Sequence, residues 1–295
     1  MHKTVHTQVL EIAYEETGPE DGIPVILLHG FPDDVRAYDG ATDPLAASGY
    51  RVLVPYLRGY GPTRFLHPST PRSGQQAALG ADLRDFMDAL GIGQAILGGY
   101  DWGGRAACVV SALWPRRVRG LVTINGYNIQ NIATSGRPAP ADQEYRHWYQ
   151  WYFNTERGIA GLTQNRREIC RLLWTLWSPN WTFDDAHYAA TAGSFDNSDF
   201  VDVVIQSYRH RHRNASGDPA LEPIEALLAA QPDIAVPTIV LHGEADGVGP
   251  VQQSASHASH FKGRYERRVI PVAGHFLPHE APEAVVKAVR DLVEA

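Results

Sequence analysis

The sequence predicts an α/β protein: a mostly parallel sheet flanked by helices, with a helical segment inserted into it. Three observations carry this. Up to Tyr127, short apolar runs bounded by turn residues alternate with helical patterns, as expected for parallel strands joined by crossover helices. The alternation then gives way to a helical stretch rich in aromatics. Strand-like runs resume at Pro237 and lead to a final amphipathic helix.

In chain order, Lys3 to Glu16 alternates loosely and breaks at Gly18-Pro19, which predicts one or two early strands in a hairpin. Strands follow at Pro24 to Leu28, Arg51 to Leu57, Gln94 to Tyr100 and Val118 to Asn125. Between them, Leu79, Leu83, Phe86, Met87 and Leu90 recur at helical spacing and predict a helix over Gln75 to Leu90. Ala139 to Arg213 reads as helical throughout, and five of the seven tryptophans (Trp148, Trp151, Trp174, Trp177 and Trp181) fall within it. Such an insert needs a core of its own, and the same aromatics would also line an apolar lid; the lid reading is preferred. Strands return at Pro237 to Leu241 and Arg268 to Val272, and a helix runs from Pro282 to Val293. The expected division is therefore a core of 1–126 and 218–295 with a helical lid of 127–217.

Composition excludes several classes. At 295 residues the chain approaches two units by the soft prior of about 150 residues per domain. A hydrophobic fraction of 44% and a charged fraction of 20% are those of a globular protein, so disorder is excluded as the main state. A net charge of −7 argues against nucleic acid as a partner. Two cysteines, Cys108 and Cys170, make no disulfide framework, which sets a reducing cytoplasm as the expected compartment. Met1 to Gly18 has no apolar stretch of signal-peptide length, and runs such as Val25 to Leu28 are far too short to span a membrane. The basic run Arg209-His-Arg-His-Arg213 reads as a solvated helix end; its two histidines fall short of a zinc site. No metal or cofactor is implied.

The chemistry concentrates in Ile96-Leu-Gly-Gly-Tyr-Asp-Trp-Gly-Gly104, which follows a strand and opens a helix. Gly99-Tyr100-Asp101-Trp102-Gly103 has the small-x-nucleophile-x-small form of a nucleophile elbow, whose glycines permit a sharp strand-to-helix turn. Asp101 could instead cap a helix, but a cap needs none of the flanking glycines. His29-Gly-Phe-Pro32 ends an earlier strand where an oxyanion-binding loop belongs. Gly243-Glu-Ala-Asp246 ends a later one where an acid belongs, and Gly274-His275-Phe276 follows the last strand where a base belongs. This order of nucleophile, acid and histidine is that of α/β-hydrolases. Asp246 could be a simple turn residue before Gly247, and His29 and His242 read as structural hydrogen-bonders.

On these residues the chain resembles the α/β-hydrolase superfamily over essentially its whole length, and within it the epoxide hydrolases. Arg58-Gly-Tyr-Gly61, the Asp-Trp-Gly-Gly elbow and the His-Gly-Phe-Pro loop are similar to theirs. Trp151-Tyr152-Phe153 resembles the start of the epoxide hydrolase cap, and Ser207-Tyr208-Arg209 its later Tyr-Arg site. The resemblance implies that Tyr152 and Tyr208 donate protons to the epoxide oxygen. Asp101 then attacks carbon and forms an alkyl ester, and His275, oriented by Asp246, activates the water that hydrolyses it to a vicinal diol. Backbone N–H groups of Phe31 and Trp102 would form the oxyanion site. The partners implied are a small apolar epoxide-like substrate and water, with a homodimer left open.

Two relatives of this chemistry compete. Trp102 resembles a halide-binding tryptophan of haloalkane dehalogenases, although Phe31 stands where many of those carry Asn. Haloacetate dehalogenases hold a carboxylate with two arginines in an Asp-Arg-Gly-Gly-Arg elbow, of which this chain keeps only Arg105. Arg105 and Trp151 are therefore candidate substrate-binding residues. A catalytically silent small-molecule binder of the same fold is the remaining alternative.

Overall fold

The computed structural model describes residues 2–293; Met1, Glu294 and Ala295, at the ends of the expected core, lie outside the described residues. The chain opens with the antiparallel hairpin β1 (Lys3–His6) and β2 (Leu10–Thr17), as the loose alternation predicts. Then follow β3 (Ile23–Leu28), α1 (Asp39–Ala46), β4 (Tyr50–Pro55), the short β5 (Arg64–Phe65), α2 (Gln76–Ala89), β6 (Ala95–Gly99), α3 (Asp101–Leu113) and β7 (Val118–Ile124). Six helices intervene: α4 (Ala141–Arg146), α5 (Trp148–Phe153), α6 (Glu156–Trp177), α7 (Asp185–Ala192), α8 (Phe200–Arg211) and α9 (Glu222–Ala229). The chain then returns through β8 (Thr238–Gly243), α10 (Val251–Ser256), β9 (Tyr265–Ile270), α11 (Leu277–Glu280) and α12 (Pro282–Val293).

The strands form one sheet in the order β1-β2-β4-β3-β6-β7-β8-β9, with β5 pairing β2 off that path. Pairings from β4 to β9 are parallel and those made by β2 are antiparallel. Such a sheet buries its central strands on both faces; β6 is buried along its entire length. Two helix pairs, α1 with α12 and α2 with α3, flank it. The amphipathic stripe read in the sequence explains α2 and α12, whose Val285, Val286, Val289 and Leu292 are buried.

The expected strand at Arg268 to Val272 instead occupies Tyr265–Ile270. β9 is the last strand of its edge, with charged Glu266, Arg267 and Arg268 along it, so apolarity marks only its end. No helix among the described residues is long and apolar enough to cross a membrane.

Candidate active site

The turn between β6 and α3 places Asp101 at φ 48°, a left-handed conformation that costs a non-glycine residue energy and marks a site under functional constraint. The turn is tight. A Cβ on Gly99 would lie 2.5 Å from the carbonyl carbon of Gly103, and one on Gly103 would lie 2.1 Å from the carbonyl oxygen of Leu28. Tyr100, not Asp101, is the N-cap of α3 and makes no side-chain cap hydrogen bond; Asp101 is the first residue of the helix. Its side chain turns toward the loop after β3, where the Phe31 N–H donates to Oδ1 at 2.8 Å.

Asp246 and His275 meet from the loops after β8 and β9, with Nδ1 of His275 2.9 Å from Oδ2 of Asp246. Asp246 is fully satisfied rather than a bare turn residue. The N–H groups of Val248 and Gly249 donate to Oδ1 at 2.7 and 3.0 Å, and Asn125 Nδ2 donates to Oδ2. Burial alone would raise the Asp246 carboxyl, but His275 and these donors outweigh it and hold it below its ordinary value. Burial likewise pushes His275 down, and the Asp246 carboxylate, with help from Asp101, overcomes this and raises it. Nε2 of His275 is buried and has no hydrogen-bond partner among the described residues. The loop is pinned by the insert: the Trp177 carbonyl accepts the N–H groups of Gly247 at 2.9 Å and His275 at 3.1 Å. Ser178 Oγ accepts the Phe276 N–H at 3.0 Å and donates to Glu280.

The other two strand-end histidines are structural. His29 Nε2 accepts the Leu57 N–H, and burial drives this imidazole down to about 4. His242 bonds Ser254 and the Gly249 carbonyl.

Above Asp101 the insert contributes Tyr149, Phe153, Trp177, Phe200 and Tyr208, which together with Trp102 of α3 surround Phe31, all within 6.4 Å between ring centroids. Tyr208 is there, as expected. Tyr152 is not: its hydroxyl packs against Gly161 of α6, at 2.0 Å from where a Cβ would stand. Tyr149 takes the place expected for it. Its ring lies 5.4 Å from that of Tyr208 at 89°, and the Asp101 charge acts on both phenols. Burial pushes Tyr149 up to about 12 and Tyr208 well above its ordinary value, so both stay protonated at neutral pH. The helix explains the exchange: Tyr149 and Phe153 share the inward face of α5, whereas Tyr152 shares the other with Trp148. Trp151 is likewise outside the site; it is 41% exposed and donates its indole N–H to Glu144 at 2.9 Å.

A cavity of about 380 Å³ contains Asp101, His275 and Tyr149 together with Arg105 and Arg211. A larger cleft of about 690 Å³ borders Trp177 and the Asp246 loop but includes neither Asp101 nor His275, so the smaller cavity is the one with the chemistry. Arg105 faces it as expected. Arg211, which the sequence placed on a solvated helix end, also lines it. Among the described residues no group of three His, Cys, Asp or Glu side chains could hold a metal ion.

Comparison with known proteins follows this geometry. A family model described as the alpha/beta hydrolase fold matches residues 23–282. Epoxide hydrolase 3 of Siraitia grosvenorii is 36% identical over 126 residues, 42% of this chain and 38% of that protein. Epoxide hydrolase B of Mycobacterium tuberculosis is 31% identical over 224 residues, 69% of this chain and 61% of that protein. The chain thus spans less than two thirds of these curated relatives. A haloalkane dehalogenase of Mycobacterium marinum is 34% identical over 125 residues, 41% of this chain and 40% of that one. Among solved structures, a candidate epoxide hydrolase from Klebsiella pneumoniae subsp. pneumoniae superposes with a TM-score of 0.97 at 46% identity, over 100% of this chain and 97% of that chain.

Proposed function

The chain belongs to the α/β hydrolase fold family, and from that premise we propose that it is an epoxide hydrolase with Asp101 as nucleophile. One observation supports this above all. A carboxylate held at a strained turn, a histidine whose buried Nε2 has no partner among the described residues, and the protonated Tyr149 line one pocket, with the Tyr208 ring 5.4 Å from that of Tyr149. In this reading 127–217 acts as the lid that brings Tyr149 and Tyr208 over the nucleophile.

The steps follow from the groups. Oδ2 of Asp101 attacks an oxirane carbon, the carbon–oxygen bond breaks, and the alkoxide takes a proton from a tyrosine hydroxyl. An alkoxide is a far stronger base than a tyrosinate, so phenols pushed up by burial still serve as donors. Nε2 of His275 then removes a proton from water, and the hydroxide adds to the ester carbonyl carbon. The negative charge develops on Oδ1, where the Phe31 N–H already donates; the Trp102 N–H, next after the nucleophile, is the second donor by chain position. Collapse expels the diol oxygen, which takes the proton from His275, and the proton left on the Asp101 carboxyl returns to the tyrosinate, so that nucleophile, base and acid are all regenerated. Asp246 steadies the transient imidazolium.

A second reading has its own observation. The indole N–H groups of Trp102 and Trp177 are buried without partners, and such donors suit a departing halide. Incubation with styrene oxide, 1-chlorobutane and fluoroacetate in parallel separates the two. Diol from the epoxide without halide release is expected; halide release without diol overturns the proposal.

A further inference from the structure

Arg105 lies four residues after Asp101 on α3, so it shares the face that looks into the cavity. It is 6% exposed, and among the described residues its Nε and Nη1 have no hydrogen-bond partner. Arg211, in the last turn of α8, holds its guanidinium 4.9 Å above the Tyr208 ring. With the Gln130 amide oxygen turned toward it, Arg211 donates to Gln130 from Nη2 at 2.9 Å and from Nε. Its neighbour in the field is Arg105: burial and the Arg211 charge together push Arg105 down to about 10, which leaves it protonated at neutral pH.

Two guanidiniums thus crowd one small cavity in which Asp101 is the carboxylate that acts on Arg105. Of the wall histidines, burial aided by Arg211 drives His147 down to about 4, and burial with His260 does the same to His257, which keeps these two neutral. The two guanidiniums and the Asp101 carboxylate therefore leave one positive charge in excess, to which the raised His275 can only add. The unpaired guanidinium donors are costly to bury. A monoanion cancels that excess. A planar carboxylate also matches a guanidinium fork with two oxygens.

We propose that the substrate of this site carries a carboxylate close to its oxirane, and that Arg105 and Arg211 bind it. The proposal rests on the epoxide hydrolase reading above. One helical turn, about 5–6 Å, separates Asp101 from Arg105, so the substrate class is short 2,3-epoxy acids rather than purely apolar epoxides. Binding the carboxylate holds the adjacent oxirane carbon against Asp101.

The test compares glycidate with glycidamide, its uncharged isostere, and measures binding of glycerate, the diol acid, by calorimetry. Wild-type protein is expected to prefer glycidate in kcat/KM by roughly 10-fold or more, the scale of a charge-assisted hydrogen bond. That preference should collapse in Arg105→Gln and in Arg211→Gln, chiefly through KM, and glycerate binding should weaken in parallel. Arg211 is only half-buried at the end of α8, whereas Arg105 is buried, so Arg211→Gln is the variant that folds should Arg105→Gln fail. No preference for glycidate, or glycerate bound equally well by wild type and the variants, overturns the proposal while leaving epoxide opening intact. Opening of neither epoxide refutes the enzymatic reading instead. The glycerate titration then decides the anion subsite alone: loss of binding in the variants upholds it, and no arginine-dependent binding removes it.

Discussion

Nδ1 of His275 is 2.9 Å from Oδ2 of Asp246, while Nε2 on the other side of the ring is buried with no protein partner. One nitrogen is thus committed to orientation and the other is left for chemistry, the division of labour a general base requires.

That division predicts a trapped intermediate. His275→Ala should still be alkylated, because attack by Asp101 on the oxirane does not need the imidazole. Intact-mass measurement after exposure to styrene oxide should show one added substrate mass, localised to Asp101 by peptide mapping and persisting far beyond a wild-type turnover. Continued diol production without an adduct would mean that no ester lies on the path.

Asp101→Ala should abolish turnover, leaving less than about 10⁻³ of the wild-type rate, while circular dichroism shows an intact fold. Its carboxylate accepts the Phe31 N–H, and losing that one bond leaves the surrounding packing in place. A folded variant with substantial activity excludes Asp101 as nucleophile.

The tyrosine pair separates the two cap assignments. Tyr149→Phe with Tyr208→Phe keeps both rings and removes both donors, and epoxide turnover should fall by at least about 10²-fold. Tyr152→Phe should stay within about 3-fold, since its hydroxyl faces Gly161. The reverse ranking would restore Tyr152 to the site and remove Tyr149.

Asn125 donates to Asp246 from the end of β7 and itself adopts φ 73°. As a positioning residue it acts through the acid on the base. Asn125→Ala should reduce kcat by about 10-fold and displace the pH profile of kcat, while KM for the epoxide changes little. A change confined to thermal stability would reduce Asn125 to a structural role.

Stability should fall in mild acid. Burial holds His29 at about 4, and it heads the causes that hold His147, His212 and His257 there too, below an unfolded value near 6.5. Above pH 6.5 both states leave these rings neutral and nothing is lost. Between pH 6.5 and 4 the unfolded chain binds protons that the folded one refuses, so each fully buried ring costs about 1.4 kcal/mol per pH unit. His29 is the cleanest case, and the partly exposed ones contribute less. Asp34, raised to about 7 by burial and Asp33, has the opposite slope, as have the raised His275, Asp39, Asp82 and Glu280, whereas His187 and His242, lowered by burial, side with the four. Urea unfolding at pH 7.5 and 5 should show a lower midpoint at pH 5, and equal midpoints would contradict this.

Legibility in the sequence tracked how local each determinant is. The elbow could be read because its glycines stand within a few residues of Asp101 and each is forced by a backbone clash, Gly99 against Gly103 and Gly103 against Leu28. The strands of the sheet interior were legible from continuous apolar runs, whereas β9, charged and at an edge, surfaced only at its end. Tyr149 was missed in favour of Tyr152, although the two are three residues apart; only the packing of α5 against Phe31 decides which face turns inward. Arg211 looked like one more charge on a helix end. Its role depends on Arg105 and Gln130, each distant in sequence, and no pattern around residue 211 encodes that meeting. Asn125 carried a signal, an Asn after an apolar strand, but its partner lies beyond the whole insert.

The Trp177 carbonyl, shared between the N–H groups of Gly247 and His275, makes the helical insert a poor candidate for wholesale exchange between related enzymes. A chimaera built by recombining inserts would carry a seam at residues 177 and 178, where the donor parent must present a carbonyl to loops inherited from the other. The main chain of residue 177 makes these bonds, while its indole packs against Phe31 and His275. Ser178 adds a side-chain link of its own, since its hydroxyl meets both Phe276 and Glu280. Library designs that place their crossover after α6 should therefore keep Ser178 with the segment that supplies the histidine.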